Sequence, residues 1–212
     1  MTTKKQEKIK FSKAFWVANT VELFERAAYY GVFIVITLYL SRILGFNDIQ
    51  AASIAGIFSA CLYLLPTFAG ALADKIGFRK TVLGFAVLGV VVYALYPVYA
   101  GLGYAAAFAM AIFFNVGQIN AYFGPNVMLP LFGKNKSNVT ISWSSTIASA
   151  GAMLAPVVVK FAGSYNNFFI IGAVIYVIVL VLTIIATMPS SLQKIKDVDA
   201  KYVEAHGITE AE

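Results

Sequence analysis

The sequence predicts an all-α integral membrane protein of six transmembrane helices, arranged as two inverted three-helix repeats. Three observations carry this reading. The 212-residue chain is 60% hydrophobic and only 12% charged, whereas a soluble domain carries about 25% charged residues. Six apolar runs follow one another, each long enough for a helix crossing a hydrocarbon core roughly 30 Å thick, which takes about 20 residues. Lys and Arg collect in alternate connections, as in a chain that crosses a bilayer repeatedly. A transmembrane barrel would show short alternating segments instead.

The runs are Ala14–Leu40, Ile49–Ala73, Thr81–Ala100, Gly103–Phe132, Val139–Phe161 and Asn167–Met188. The first holds charges and has no small-residue cleavage site, so it reads as a helix that stays and not as a signal peptide. The N-terminal tail carries Lys4, Lys5, Lys8, Lys10 and Lys13. The second-to-third connection carries Lys75, Arg79 and Lys80, the fourth-to-fifth Lys134 and Lys136, and the C-terminal tail Lys194, Lys196 and Lys201. The opposite connections hold only Arg42. Both termini are therefore expected on the cytoplasmic side of a plasma membrane, the inner membrane of a bacterium. Residues 1–13 form a basic tail, 14–189 the transmembrane bundle and 190–212 a polar tail, read as a solvated helix or disordered. The net charge of +6 reports this topology and not a nucleic-acid partner. The Asn-x-Ser/Thr triplets at Asn135 and Asn138 fall on the cytoplasmic side and read as chance. Cys61 is the one cysteine and His206 the one histidine. No disulfide, metal site or cofactor follows from them.

Two pairs of features suggest the repeat. The first run contains Ala-Tyr-Tyr-Gly at Ala28–Gly31 and the fourth Ala-Tyr-Phe-Gly at Ala121–Gly124. The second run has Pro66 and the fifth Pro156. Triplets of helices inserted in opposite senses are a hallmark of secondary transporters.

Polar residues inside the runs mark the candidate site. On a helix, positions three and four apart share a face. Asn19, Glu22, Glu25, Arg26, Tyr29 and Tyr30 so form one broad stripe on the first helix. Glu22 and Arg26, four apart with the acid first, have the favourable order for an ion pair. Two acids face one base, so one carboxylate is left over. An apolar interior disfavours its charged form, which suits a group that takes and releases a proton, and intramembrane ionisable residues are functional candidates by default. On the fourth helix Asn115, Gln118, Asn120, Tyr122 and Asn126 share a span interrupted by Pro125 and Pro130. Amides there must bond across to another helix or face water, and together they read as a cavity wall. The run Ser142–Ser149 on the fifth helix, with its small hydroxyls, reads as a close-packing face.

Two motifs resemble known families. The connection after the second helix, with Gly70, Asp74, Gly77, Arg79 and Lys80, resembles the cytoplasmic signature of the major facilitator superfamily. That resemblance implies a gate network that pins two halves of a transporter together, and makes this chain one six-helix half of a twelve-helix fold. The segment Glu22–Gly31 is similar to the first-helix motif of the proton-dependent oligopeptide transporters, Glu-x-x-Glu-Arg-Phe-x-Tyr-Tyr-Gly, with Ala27 in place of the Phe. The resemblance implies that Glu22 and Glu25 couple protons, with Arg26 as charge partner, and that Tyr29 and Tyr30 line the substrate path with Asn115, Gln118, Asn120 and Tyr122. Phe33 stands where that family usually has an Arg that binds the peptide's carboxyl end, and Gly124 where it has a Lys paired with the first-helix acids; Lys160, near the outer end of the fifth helix, is the cation that could substitute.

These features imply a proton-coupled secondary transporter of a small polar solute, built by this chain as an N-terminal half or half-sized subunit. Its partners are protons, the solute, the lipid bilayer, and a second half, another membrane subunit or a second copy. The alternative is a transporter-derived membrane subunit of a larger complex that no longer transports. No nucleophile–base pair, metal cluster or phosphate loop in the sequence points to an enzyme.

Overall fold

The computed structural model describes residue 11 and residues 13–117 and 137–206. Every element among them is a helix: α1 Lys13–Arg42, α2 Asp48–Ile76, α3 Phe78–Ala100, α4 Tyr104–Gly117, α5 Ser137–Ala162, α6 Tyr165–Ala186 and α7 Pro189–His206. Five carry segments long and apolar enough to cross a membrane: Phe15–Arg42, Asp48–Leu65, Phe78–Ala100, Ser142–Ala162 and Tyr165–Ala186. The fourth sequence run is represented by α4 alone, 14 residues. Its remainder, including Gln118, Asn120, Tyr122 and Gly124, lies outside the described residues. Six full spans are thus an expectation beyond the five seen. The start of the polar tail is helical, as α7.

Turn chemistry places the boundaries. Asn47 caps α2 reciprocally with Gln50. Asn47 Oδ1 accepts from Gln50 N at 2.9 Å, and Gln50 Oε1 accepts from Asn47 N at 3.2 Å, the pattern that satisfies two orphan donors at once. Gly77 separates α2 from α3 with φ +92°, a conformation that side chains with a Cβ rarely adopt. Its N–H closes on Ala73 O, and its carbonyl accepts both the N–H and the hydroxyl of Thr81. Ser164 caps α6 by accepting from Asn167 N.

α1 runs through the centre, packed mainly on α5 and α6. α3 packs on α6 and α4, and α2 leans on α4. The main core is aromatic: Tyr29, Phe58, Tyr93, Tyr96, Phe114, Phe169 and Tyr176 are all buried. The outer faces are the reverse of a soluble protein's. Leu64, Met153 and Phe161 are 61, 77 and 83% exposed, surface that lipid covers without cost and water does not.

α3 and α6 interlock reciprocally. Gly89 and Tyr93 are four apart on α3, and Gly172 and Tyr176 are four apart on α6. The Tyr176 ring lies where a Cβ on Gly89 would sit, and the Tyr93 ring lies where a Cβ on Gly172 would sit. The two rings are 4.9 Å apart. Each glycine is a slot for the tyrosine of the other helix.

Candidate functional site

The stripe on α1 faces inward. Asn19, Glu22, Glu25, Arg26 and Tyr29 are buried, Glu25 at 0% exposure, while Tyr30 is 38% exposed. α5 makes this possible by a close crossing. A Cβ on Gly151 would lie 2.8 Å from Arg26 Cβ and closer still to the Leu23 carbonyl oxygen. Only glycine lets α5 approach the charged turn of α1 so nearly. One turn or two towards the N-terminus, Ser144 Oγ donates to Asn19 Oδ1 at 3.1 Å, Asn19 Nδ2 donates back to Phe15 O, and Trp16 meets Trp143 edge-on.

The ion pair falls on Glu25, not on Glu22 as the spacing predicts. Arg26 Nε donates to Glu25 Oε2 at 2.8 Å, and the guanidinium carbon lies 5.3 Å from the centre of the Tyr29 ring. α5 crowds the Cβ of Arg26, and Tyr29 occupies the next turn under its head group. The side chain accordingly reaches sideways to its sequence neighbour. Tyr29 itself stacks on Phe58 of α2. The other oxygen of Glu25, Oε1, faces the hydroxyl of Tyr176 at 3.4 Å. Glu22 Oε2 and Arg26 Nη2 are buried with no hydrogen-bond partner among the described residues. The left-over carboxylate is therefore Glu22. A bare buried charge is costly, and uptake of a proton removes it.

Asn115 lies on α4, 2% exposed. Its Nδ2 donates to Ala111 O within its own helix, and Oδ1 is buried without a hydrogen-bond partner among the described residues. Gly70, Asp74, Gly77, Arg79 and Lys80, the residues of the motif expected to form a gate, sit together at the α2–α3 connection and are all exposed. Asp74 and Arg79 make no ion pair with each other; the ion pair among the described residues is Arg26–Glu25. No three His, Cys, Asp or Glu side chains converge among them in a way that would hold a metal ion. The serine run is corrected in part. Ser144 is buried, but Ser142, Ser145, Thr146 and Ser149 face outward. The close-packing face is Ser144, Gly151 and Ala155, at helical spacing.

The family model of the Major Facilitator Superfamily matches residues 20–206, which takes in Glu22, Glu25 and Arg26, the α2–α3 connection, most of α1 and the other four long helices in full. The chain belongs to this superfamily. Individual relatives match shorter stretches. A dipeptide and tripeptide permease A of Pectobacterium carotovorum is 31% identical over 115 residues, 54% of this chain and 22% of the permease. The protein of the same description from Proteus mirabilis is 35% identical over 83 residues, 39% of this chain and 16% of its own length. That from Erwinia pyrifoliae is 34% identical over 108 residues, 50% and 21% respectively. The chain thus matches about a fifth of the length of these curated relatives.

Spacing along the sequence singled out Glu22, Glu25 and Arg26, which the structure holds together on one buried face, and passed over Tyr176, whose hydroxyl lies against Glu25. Tyr176 lies in the most apolar run, where a lone tyrosine reads as core. The available signal was the repeated Gly-x-x-x-Tyr at Gly89–Tyr93 and Gly172–Tyr176.

Proposed function

We propose that the chain is the N-terminal half, or a half-sized subunit, of a proton-coupled secondary transporter that moves a small polar solute. One observation carries this reading. Arg26 forms its ion-pair contact with Glu25, which leaves Glu22 as an acid without such a contact inside a membrane helix, with one oxygen buried and without a hydrogen-bond partner among the described residues. Glu22 takes and releases the proton, and Glu25 with Arg26 forms the pair that responds to it. Membership of the superfamily and the likeness to dipeptide and tripeptide permeases support transport.

In this reading Tyr30, exposed on α1, faces the substrate path, and Tyr29 backs it from the buried side. Asn115, Gln118, Asn120 and Tyr122 supply the facing wall. Gly70, Asp74, Gly77, Arg79 and Lys80 form one side of a cytoplasmic gate, and their exposure suits a partner half that supplies the other. Residues 14–189 make a six-helix bundle of two inverted triplets, supported by the reciprocal Gly89–Tyr176 and Gly172–Tyr93 packing of the two third helices. The termini lie in the cytoplasm and the bundle in the bacterial inner membrane. A rocking mechanism requires two such bundles, supplied by a second half or a second copy.

The test is proton-driven uptake of a labelled dipeptide by the complete assembly in liposomes. Glu22→Gln is expected to abolish coupling to the proton gradient while leaving counterflow exchange. Uptake in Glu22→Gln that still follows the gradient refutes the reading. Phe33, 51% exposed where a carboxylate-binding cation is expected, favours a second reading, a membrane subunit that no longer transports. A large unrelated complex recovered intact in mild detergent, with no gradient-driven uptake, supports that one.

A further inference from the structure

The two acids of the site differ in one respect. Each oxygen of Glu25 has its own donor, and the donors come from different helices: Arg26 Nε of α1 on Oε2 at 2.8 Å, and Tyr176 Oη of α6 on Oε1 at 3.4 Å. The second contact is long for an O–H···O bond. Without it, Oε1 would stand as Glu22 Oε2 does, buried and without a hydrogen-bond partner among the described residues. Tyr176 is therefore what separates a satisfied carboxylate from an unsatisfied one.

The hydroxyl is held there by a third helix. Tyr176 is fully buried, and its ring fills the slot that Gly89 leaves on α3, with the Tyr93 ring 4.9 Å away. A larger residue at Gly89 would push the ring, and with it the hydroxyl, off α3. The other titratable groups around Glu25 are Arg26, Glu22 and Tyr29 on α1 and Tyr93 on α3. From α2, Tyr63 is 76% exposed, and the only charged residue of α5, Lys160, is exposed near its end.

We propose that Tyr176, seated in the Gly89 slot, is a positioning residue that keeps Glu25 as the fixed anion of the cluster and leaves Glu22 as the acid whose protonation changes. This rests on the proton-coupling reading above. It adds to that division of labour between the two acids a residue on α6 that enforces it.

Infrared titration of the full chain in liposomes tests it. The carboxyl bands are assigned with Glu22→Gln and Glu25→Gln. In Tyr176→Phe, which keeps the ring and removes only the donor, the protonated Glu25 band is expected to appear about one pH unit higher than in the wild type, because a lost donor disfavours the anion. Gly89→Ala, which displaces the ring, is expected to do the same. A Glu25 titration unchanged in a folded Tyr176→Phe protein overturns the proposal. Should Tyr176→Phe fail to fold, ring-labelled tyrosine decides: the wild type is expected to show a tyrosine C–O band that shifts with pH and is lost in Glu25→Gln, and a band that persists in Glu25→Gln overturns the proposal. Uptake measured on the same variants keeps the two readings apart. If Glu22→Gln still transports with the gradient, the transport reading fails while a Glu25 band shift in Tyr176→Phe still stands.

Discussion

Gly151 sets how near α5 comes to the charged turn of α1, and Gly151→Ala measures that closeness. An added Cβ falls 2.8 Å from Arg26 Cβ and 3.2 Å from the Leu23 carbonyl carbon, and it overlaps the carbonyl oxygen. Ordinary carbon contacts lie at about 3.5–4.0 Å, so the helices must part by roughly 1 Å. Overpacking costs about 1–3 kcal/mol. Here the obstacle is backbone, which no rotamer change relieves, so the upper half of that range, about 2–3 kcal/mol, applies. For a chain of this size each kcal/mol lowers the melting temperature by about 2–4 °C, and the expected fall is about 4–12 °C. The assay is built into the molecule. Cys61 is the one cysteine and is buried, so a thiol-reactive dye reports unfolding in detergent directly. Gly84→Ala is the control, since nothing lies within 4 Å of its added Cβ. A Gly151→Ala protein that melts within about 1 °C of the control would refute the close crossing.

Three further outcomes follow from the same geometry. Arg26→Ala strands Glu25 with a buried charge and is expected to cost about 3–5 kcal/mol; Glu25→Gln added to it should recover part of that loss in the same melting assay. A double-mutant cycle on Asn19→Ala and Ser144→Ala is expected to show a coupling of about 0.6 kcal/mol, the usual worth of a hydrogen bond between membrane helices, and zero coupling would place the two side chains apart. Gly77→Ala forces a Cβ into φ +92° and is expected to destabilise by about 1–3 kcal/mol, whereas Gly70→Ala, mid-helix with open space around it, is expected to be neutral or slightly stabilising.

Periodicity and composition are enough to place the helices, because a chain in lipid must satisfy its backbone internally and helices do this residue by residue. The long runs of the sequence and the observed α1, α2, α3, α5 and α6 accordingly agree within a few residues. The inward face of α1 was legible too: six polar residues at helical spacing cannot all face lipid.

What lay beyond the sequence was every choice among neighbours. Spacing favoured Glu22 for Arg26; the approach of α5 at Gly151 and the Tyr29 ring turned the guanidinium to Glu25. Small hydroxyls favoured the whole serine run as a packing face; the pitch of α5 spends only Ser144 on α1 and turns the rest outward. Tyr176 sits about 150 residues from Glu25 in a run that reads as plain core, and it becomes part of the site only because Gly89 and Gly172 let α3 and α6 close on each other. Helix formation depends on contacts a few residues apart and is written along the chain. The partner of a buried charge depends on which helices cross at that depth, and only the packed bundle decides it.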